Sequence, residues 1–225
     1  MENNFNKFSF ITADLHSVVT QSLSFILKDL YKDSIVYQIK NLDDIIKVLN
    51  AEPIHLLLLD VTFPDGNSLS IIPALKKIQP DLKILIFSGY DEKIYAIRYI
   101  NTGANGFLSK TSSEEEIKNA ITEVMNSGKY LSKNIQEKIM DSYILKKPTN
   151  PLEQLSNREL EVAKLMIDGY GNNEICTVLN LQKTTVSTYK NRIFEKIGVN
   201  NLSYLIQIFN LYNNNDKKYR TNSVL

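Results

Sequence analysis

The chain has 225 residues, 43% hydrophobic and 23% charged, with a formal net charge of +1 at pH 7. That length suits one large domain or two modest ones, and a charge this close to neutral does not by itself point to a polyanionic partner. Cys176 is the single cysteine, which excludes an intramolecular disulfide and reads as a buried thiol in a reducing compartment.

The longest apolar run, Ile54 to Leu59 with His55 inside it, falls far short of the ~20 residues of a membrane span. The polar start Met1 to Lys7 has no signal-peptide core, so a soluble cytoplasmic protein that engages no membrane is expected. Charge is uneven: residues 151–225 hold nine Lys or Arg against seven acids, or +2, and the first 150 residues sum to −1.

From Phe8 to Met125, short apolar runs alternate with stretches of helical periodicity. Strands are expected at Phe8 to Ala13, Ser34 to Ile39, Ile54 to Leu59, Leu82 to Phe87 and Gly106 to Leu108, apolar enough to be covered on both faces. Helical stripes lie between them, including Val19/Leu23/Ile26/Leu30, Leu42/Ile45/Ile46/Leu49 and Ile117/Ala120/Ile121/Val124. Ser113 and Glu116 offer a capping box for the last of these. The turn Phe63-Pro64-Asp65-Gly66 leads into a helix carrying Ile71, Ile72 and Leu75. The βα repeat predicts a doubly wound α/β domain with five parallel strands over residues 1–127.

Residues 128–151 break the pattern and read as a linker with a helix from Lys133 to Lys147, closed by Pro148 and Pro151. Beyond it strand signals vanish. Four helices are expected at Asn157 to Asp168, Asn173 to Leu179, Lys183 to Ile197 and Asn201 to Tyr212, forming a small all-α domain over residues 152–213. Residues 214–225 are polar and read as a disordered tail.

The strands of the first domain stop at or just before Asp14, Asp60, Ser88 and Lys110. In a parallel sheet those ends share one edge, beside which ligands bind. An exposed Asp60 carboxylate is a candidate nucleophile. Asp14 adds a second negative charge able, with Asp60, to recruit a hard cation such as Mg²⁺; Ser88 and Lys110 can donate to phosphate oxygens. Any one of these positions could be a solvated strand end, and the set of four is harder to dismiss.

"FITADLHSVV", "HLLLLDVTFPDGNSL", "KILIFSGYD" and "GANGFLSK" resemble, in order and spacing, the receiver domain of two-component response regulators. The resemblance implies a flavodoxin-like fold with Asp60 as phosphoacceptor, Ser88 as switch hydroxyl, Phe107 as switch aromatic and Lys110 as the phosphate-sensing lysine. It also implies a Mg²⁺ site on Asp14, Asp60 and the Thr62 carbonyl, and a sensor histidine kinase as partner. The family has two adjacent acids after its first strand; here Leu15 follows Asp14, which weakens the implied Mg²⁺ site through charge and ligand count. His16 is read as the start of the first helix, and Gly89 leaves room for a phosphate.

In the second domain Ser156 and Glu159 form a capping box and Gly169 and Gly171 force a turn. Asn180 to Gln182 break the chain before a helix whose apolar stripe is Val186, Tyr189, Ile193 and Ile197, the pattern of a helix-turn-helix. Thr184, Ser187, Thr188 and Asn191 point away from that stripe, flanked by Lys183, Lys190 and Arg192. Hydroxyls and an amide suit base edges, and cations suit phosphates. Periodicity alone also admits an ordinary small bundle with a solvated face.

"LSNRELEVAKLMIDGYGNNEICTVLNLQKTTVSTYKNRIFEKIGV" resembles the LuxR-type DNA-binding domain of the NarL/FixJ response regulators, and "TVSTYKNR" their Bvg/Evg-like subgroup. Double-stranded DNA is the implied partner. The resemblance also implies a homodimer on DNA through the terminal-helix stripe Leu202/Leu205/Ile206/Phe209, which periodicity alone places equally well in a core.

The expected function is therefore control of transcription through phosphorylation of Asp60, in a protein that is not an enzyme. The alternative is a DNA-binding regulator that works without phosphorylation because of Leu15. A haloacid-dehalogenase-type hydrolase is disfavoured because Thr62 stands where a second Asp is needed. Dinucleotide binding is disfavoured because no G-x-G-x-x-G follows a strand.

Overall fold

The structure is a computed structural model that describes residues 7–144, 148 and 150–213, and the chain divides into two compact units, residues 1–137 and 138–225. In the first unit five parallel strands, β1 (Ser9–Ala13), β2 (Ile35–Ile39), β3 (Leu56–Leu59), β6 (Lys83–Ser88) and β7 (Gly106–Ser109), pair in the order β2-β1-β3-β6-β7. This is the doubly wound sheet that the alternating pattern predicts. Its register sets Ala13 beside Leu59, Leu59 beside Ile86 and Ser88 beside Ser109. Asp14, Asp60 and Lys110, one residue past three of those strands, are thereby delivered to one edge.

Helices α1 (Ser17–Leu30), α2 (Leu42–Ala51), α3 (Ile72–Ile78), α4 (Glu92–Thr102) and α5 (Glu114–Ser127) complete the layers. Every residue of β1 and β3 is buried, as continuous apolar strands between two helical layers must be. One face gathers Phe10, Leu27, Leu56, Leu58, Leu85, Ile121 and Val124 in a single cluster. The alternate strand residues Ile11, Leu57, Ile84 and Phe107 are buried as well.

Helix starts follow local chemistry. The Asn41 side chain accepts from the Asp44 amide at the head of α2, Asp91 accepts from Lys93 at α4, and Ser113 accepts from Glu116 at α5. The expected Ser113/Glu116 box is only half formed, because the Glu116 carboxylate instead accepts from the Tyr130 hydroxyl at 3.2 Å. The expected turn Phe63-Pro64-Asp65-Gly66 lies within an antiparallel hairpin of β4 (Thr62–Phe63) and β5 (Gly66–Asn67). Gly66, at φ +146°, makes the bend, and Asp65 reaches back to accept from the Leu42 amide at 2.7 Å. Sequence periodicity does not register two-residue strands.

The first unit continues past Ser127. The Tyr130 amide donates to Asn105, and Ser132 and Asn134 both donate to the Glu92 carboxylate at 3.0 Å. Helix α6 (Lys133–Ile144) then spans the division between the units. The expected end of this helix at Lys147 lies outside the described residues.

In the second unit a 3₁₀ turn, Pro151–Gln154, precedes α7 (Asn157–Ile167), α8 (Asn172–Leu179), α9 (Lys183–Ile197) and α10 (Leu202–Asn213). Ser156 and Glu159 form the complete capping box. Asn180, at φ 51°, turns the chain between α8 and α9, and the Arg158 guanidinium donates to the Leu179 carbonyl at the end of α8. Two expectations change here. Cys176 is half-buried rather than buried, on the flank of a helix whose inward residue is Ile175. In α10 Leu205, Ile208, Phe209 and Leu211 are buried while Leu202 is exposed, so the inward face is rotated from the expected stripe. The expected tail, 214–225, lies outside the described residues. Among the described residues no helix is long and apolar enough to cross a membrane.

Candidate functional site

At the carboxyl edge of the sheet the Lys110 ammonium lies 2.5 Å from Asp14 Oδ2 and 2.7 Å from Asp60 Oδ2. Three residues far apart in sequence are thus in direct contact. Asp60 is 8% exposed, not the open carboxylate expected from its place after a strand. Lys110 covers one oxygen, and the Val61 amide donates to the other, Oδ1, at 2.7 Å. Asp14 is 2% exposed, and its Oδ1 accepts from the His16 amide at 2.8 Å and lies 3.0 Å from His16 Nδ1. His16 therefore flanks the head of α1, as expected, and also touches the pocket.

Two carboxylates facing one ammonium leave the trio one negative charge. Burial works against the charge on Lys110, but hydrogen bonds and attraction from Asp14 and Asp60 outweigh it and hold the ammonium above the usual lysine range.

Ser88, at the end of β6, is fully buried; its oxygen accepts from the Tyr90 amide at 3.4 Å and its carbonyl from the Lys110 amide at 2.9 Å. It is held at the same edge by the main chain that positions Lys110. Phe107 is fully buried with its ring edge-on to Tyr99, centroids 6.2 Å apart. A Cβ built on Gly89 meets nothing within 4 Å, which leaves open space there.

Leu15 is 48% exposed and points no oxygen at the pocket. The two carboxylates are oxygen donors at this edge, and among the described residues no group of three or more His, Cys, Asp or Glu is gathered for a metal. One or two carboxylates and water are the usual set for Mg²⁺, so the donors fit that ion. One contact was not foreseen: the Thr62 hydroxyl donates to the Tyr90 hydroxyl at 3.4 Å, from β4 to the loop after β6. The position of Tyr90, two residues past Ser88, was the available signal.

In the second unit α9 buries Val186, Ile193 and Ile197. Lys183, Thr184, Ser187, Thr188, Asn191 and Arg192 are exposed, and Tyr189 and Lys190 are half-buried. The Lys190 ammonium lies 5.8 Å from the centre of the Phe194 ring, and the Thr188 hydroxyl donates to the Thr184 carbonyl at 2.9 Å. The helix is fixed by its inward stripe and by Lys196, which pairs with Glu159 Oε2 at 2.7 Å. That pair, joining α9 to the α7 capping box, was also not foreseen. Burial opposes the Glu159 charge, but bonds from Lys196 and Ser156 prevail and hold its carboxyl below the usual glutamate range.

A parallel sheet with an acid pair and lysine at its carboxyl edge, followed by a helix-turn-helix unit, defines a two-part regulator. The sequence matches the response regulator receiver domain over residues 10–122 and the luxR family of bacterial regulatory proteins over residues 153–209. The chain belongs to the NarL/FixJ family of two-component response regulators, DNA-binding regulators of transcription. It is similar to the fimbriae Z protein of Salmonella typhimurium, 31% identical over 88% of this chain and 94% of that protein. The response regulator UvrY of Escherichia coli is 27% identical over 84% and 87% of the two chains. The oxygen regulatory protein NreC of Staphylococcus carnosus is 28% identical over 88% and 94%. The fold is shared with an RcsB–DNA complex at a TM-score of 0.74 and 20% identity, covering 92% of this chain and 100% of that one.

Proposed function

We propose that Asp60 accepts a phosphoryl group from the phosphohistidine of a sensor kinase, and that the resulting change in the first unit sets how the α9 face occupies promoter DNA in the cytoplasm. The observation that carries this reading is the convergence of Lys110 on both Asp14 and Asp60. In the transfer the Asp60 Oδ2 lone pair forms the new P–O bond while the P–N bond breaks and its electron pair returns to the imidazole. The Val61 amide orients the acceptor by holding Oδ1. Lys110, paired with the carboxylates before transfer, can follow the new charge onto the phosphoryl oxygens. Asp14, Asp60 and the Thr62 carbonyl would hold Mg²⁺, which supplies charge neutralisation for the transferred group. Binding is weak because Leu15 brings no carboxylate.

On DNA, Lys183, Lys190 and Arg192 neutralise phosphates, while Thr184, Ser187, Thr188 and Asn191 face base edges. The solved relatives include two RcsB dimers bound to two DNAs; here too a homodimer is the expected bound form, with exposed Leu202 on α10 available to a second copy.

Incubation with acetyl phosphate and Mg²⁺ followed by intact-mass measurement tests the first half. One added phosphoryl group on the wild type and none on Asp60→Asn is the expected result. A second reading, regulation without phosphorylation, is favoured by exposed Leu15, which brings no second acid beside Asp14. No adduct on the wild type, with duplex binding intact, would establish that reading instead.

A further inference from the structure

Behind the pocket lies a buried hydroxyl pair that the transfer step does not use. Ser68 follows β5, Tyr99 sits on α4, and both are fully buried. The Ser68 hydroxyl is 3.2 Å from that of Tyr99 and within reach to donate to the Val61 carbonyl at 3.1 Å, while the Tyr99 hydroxyl is 2.9 Å from Asn67 Oδ1. The Ser68 amide also donates to the Val61 carbonyl at 3.0 Å. Val61 is the residue whose own amide holds Asp60 Oδ1. An unbroken chain of contacts therefore runs from the Asp60 carboxylate through Val61 and Ser68 to α4.

The chain has an internal shortage. Two hydroxyl protons serve three contacts: Ser68 to Val61, Ser68 with Tyr99, and Tyr99 to Asn67. One of the three lacks a proton in any arrangement. If Ser68 gives its proton to Val61, Tyr99 must choose between Ser68 and Asn67; if Ser68 turns to Tyr99, the Val61 carbonyl keeps only the Ser68 amide. Each outer acceptor keeps a main-chain donor, Val61 the Ser68 amide and exposed Asn67 the Leu69 amide at 2.8 Å, so the arrangements differ by about one hydrogen bond and the one in place depends on where Val61 stands. The Tyr99 ring also lies edge-on to Phe107, a side chain with no hydroxyl of its own.

We propose that Tyr99 is a positioning residue that couples the Asp60 end of the sheet to α4 through Ser68, by hydroxyl contacts that involve neither Ser88 nor a polar group of Phe107. It rests on the proposed role of Asp60 only in what the coupling is for. A change at Asp60 that shifts the Val61 amide moves the Val61 peptide, alters which proton arrangement is preferred, and so loosens or tightens α4.

The test is amide hydrogen exchange over Glu92–Thr102 in the full chain, comparing Asp60→Asn with its parent in three backgrounds: wild type, Tyr99→Phe and Ser68→Ala. The expected result is that Asp60→Asn alters exchange of α4 on the order of fivefold in the wild type, about the worth of one hydrogen bond, and hardly at all in either altered background. A packing role alone would change α4 equally with Asp or Asn at position 60. An undiminished effect of Asp60→Asn in the Tyr99→Phe background, or no effect on α4 in any background, overturns the proposal. Thermal melting checks each fold, and Ser68→Ala decides alone if Tyr99→Phe does not fold. Beryllofluoride with Mg²⁺ is added in parallel: failure of the wild type to bind it removes the phosphoryl reading while the Asp60→Asn comparison still judges the relay.

Discussion

Lys110 decides the character of the pocket because its ammonium faces two nearly buried carboxylates. Replacing it with alanine takes that ammonium from both Asp14 and Asp60, the expensive half of breaking an ion pair. Discounted for the partial exposure of the lysine, the expected loss is about 1–3 kcal/mol at pH 7 in urea unfolding. In the wild type the raised lysine pKa means that its contribution is whole below the ordinary value of 10.5 and disappears as pH rises through the higher folded-state value. An unfolding midpoint flat across that alkaline range would contradict the pairing. At this scale the sequence was informative about identity and poor about environment. The spacing of Asp14, Asp60, Ser88 and Lys110 located the edge, but the cover over the Asp60 carboxylate comes from a lysine 50 residues away in sequence, which no local pattern announces.

Elements were legible where local chemistry acts alone and illegible where a distant group competes. Ser156 and Glu159 form their box because Glu159 Oε2 accepts from Ser156 and from Lys196 together, whereas Glu116 is drawn off by Tyr130. The inward face of α10 could not be read because seven of the ten positions from Leu202 to Leu211 are apolar or aromatic and they fall on every side of the helix, which leaves periodicity little contrast. Glu159 carries a prediction for the second unit. Its depressed pKa contributes stability above the ordinary glutamate value of 4.5 and loses it as pH falls through the lower folded-state value. Glu159→Gln should therefore lower stability by about 1 kcal/mol at neutral pH and flatten the acid limb of the melting profile. A second test concerns β7. A Cβ on Gly106 would stand 2.7 Å from the Tyr130 carbonyl, where the chain pairs back onto the strand. Gly106→Ala should force that segment away at a cost of about 1–3 kcal/mol, read as faster amide exchange at Tyr130.

For the whole molecule the two surfaces make separable predictions. On the α9 face, Lys190→Ala and Arg192→Ala should each weaken binding to every duplex and reduce the log-log salt slope by about one unit. Thr188→Ala should alter preference among sequences while leaving that slope alone. The Lys190 ammonium also lies over the Phe194 ring, so Lys190→Met, which keeps a stem of similar length and drops the charge, separates the loss of charge from the loss of side-chain bulk. An unchanged slope in both charge-removal variants would take the recognition face away from α9. Coupling between the units is constrained more tightly, by thermodynamics alone. If occupying the Asp60 pocket with beryllofluoride raises duplex affinity by some factor, saturating duplex must raise beryllofluoride affinity by the same factor. Titrations run in both orders should return equal ratios, and Asp60→Asn should set both to one. A pocket that binds beryllofluoride with a ratio of one in both directions would mean that the two halves share a chain without sharing a switch, and control of DNA would then rest with assembly of the protein rather than with its phosphoryl state.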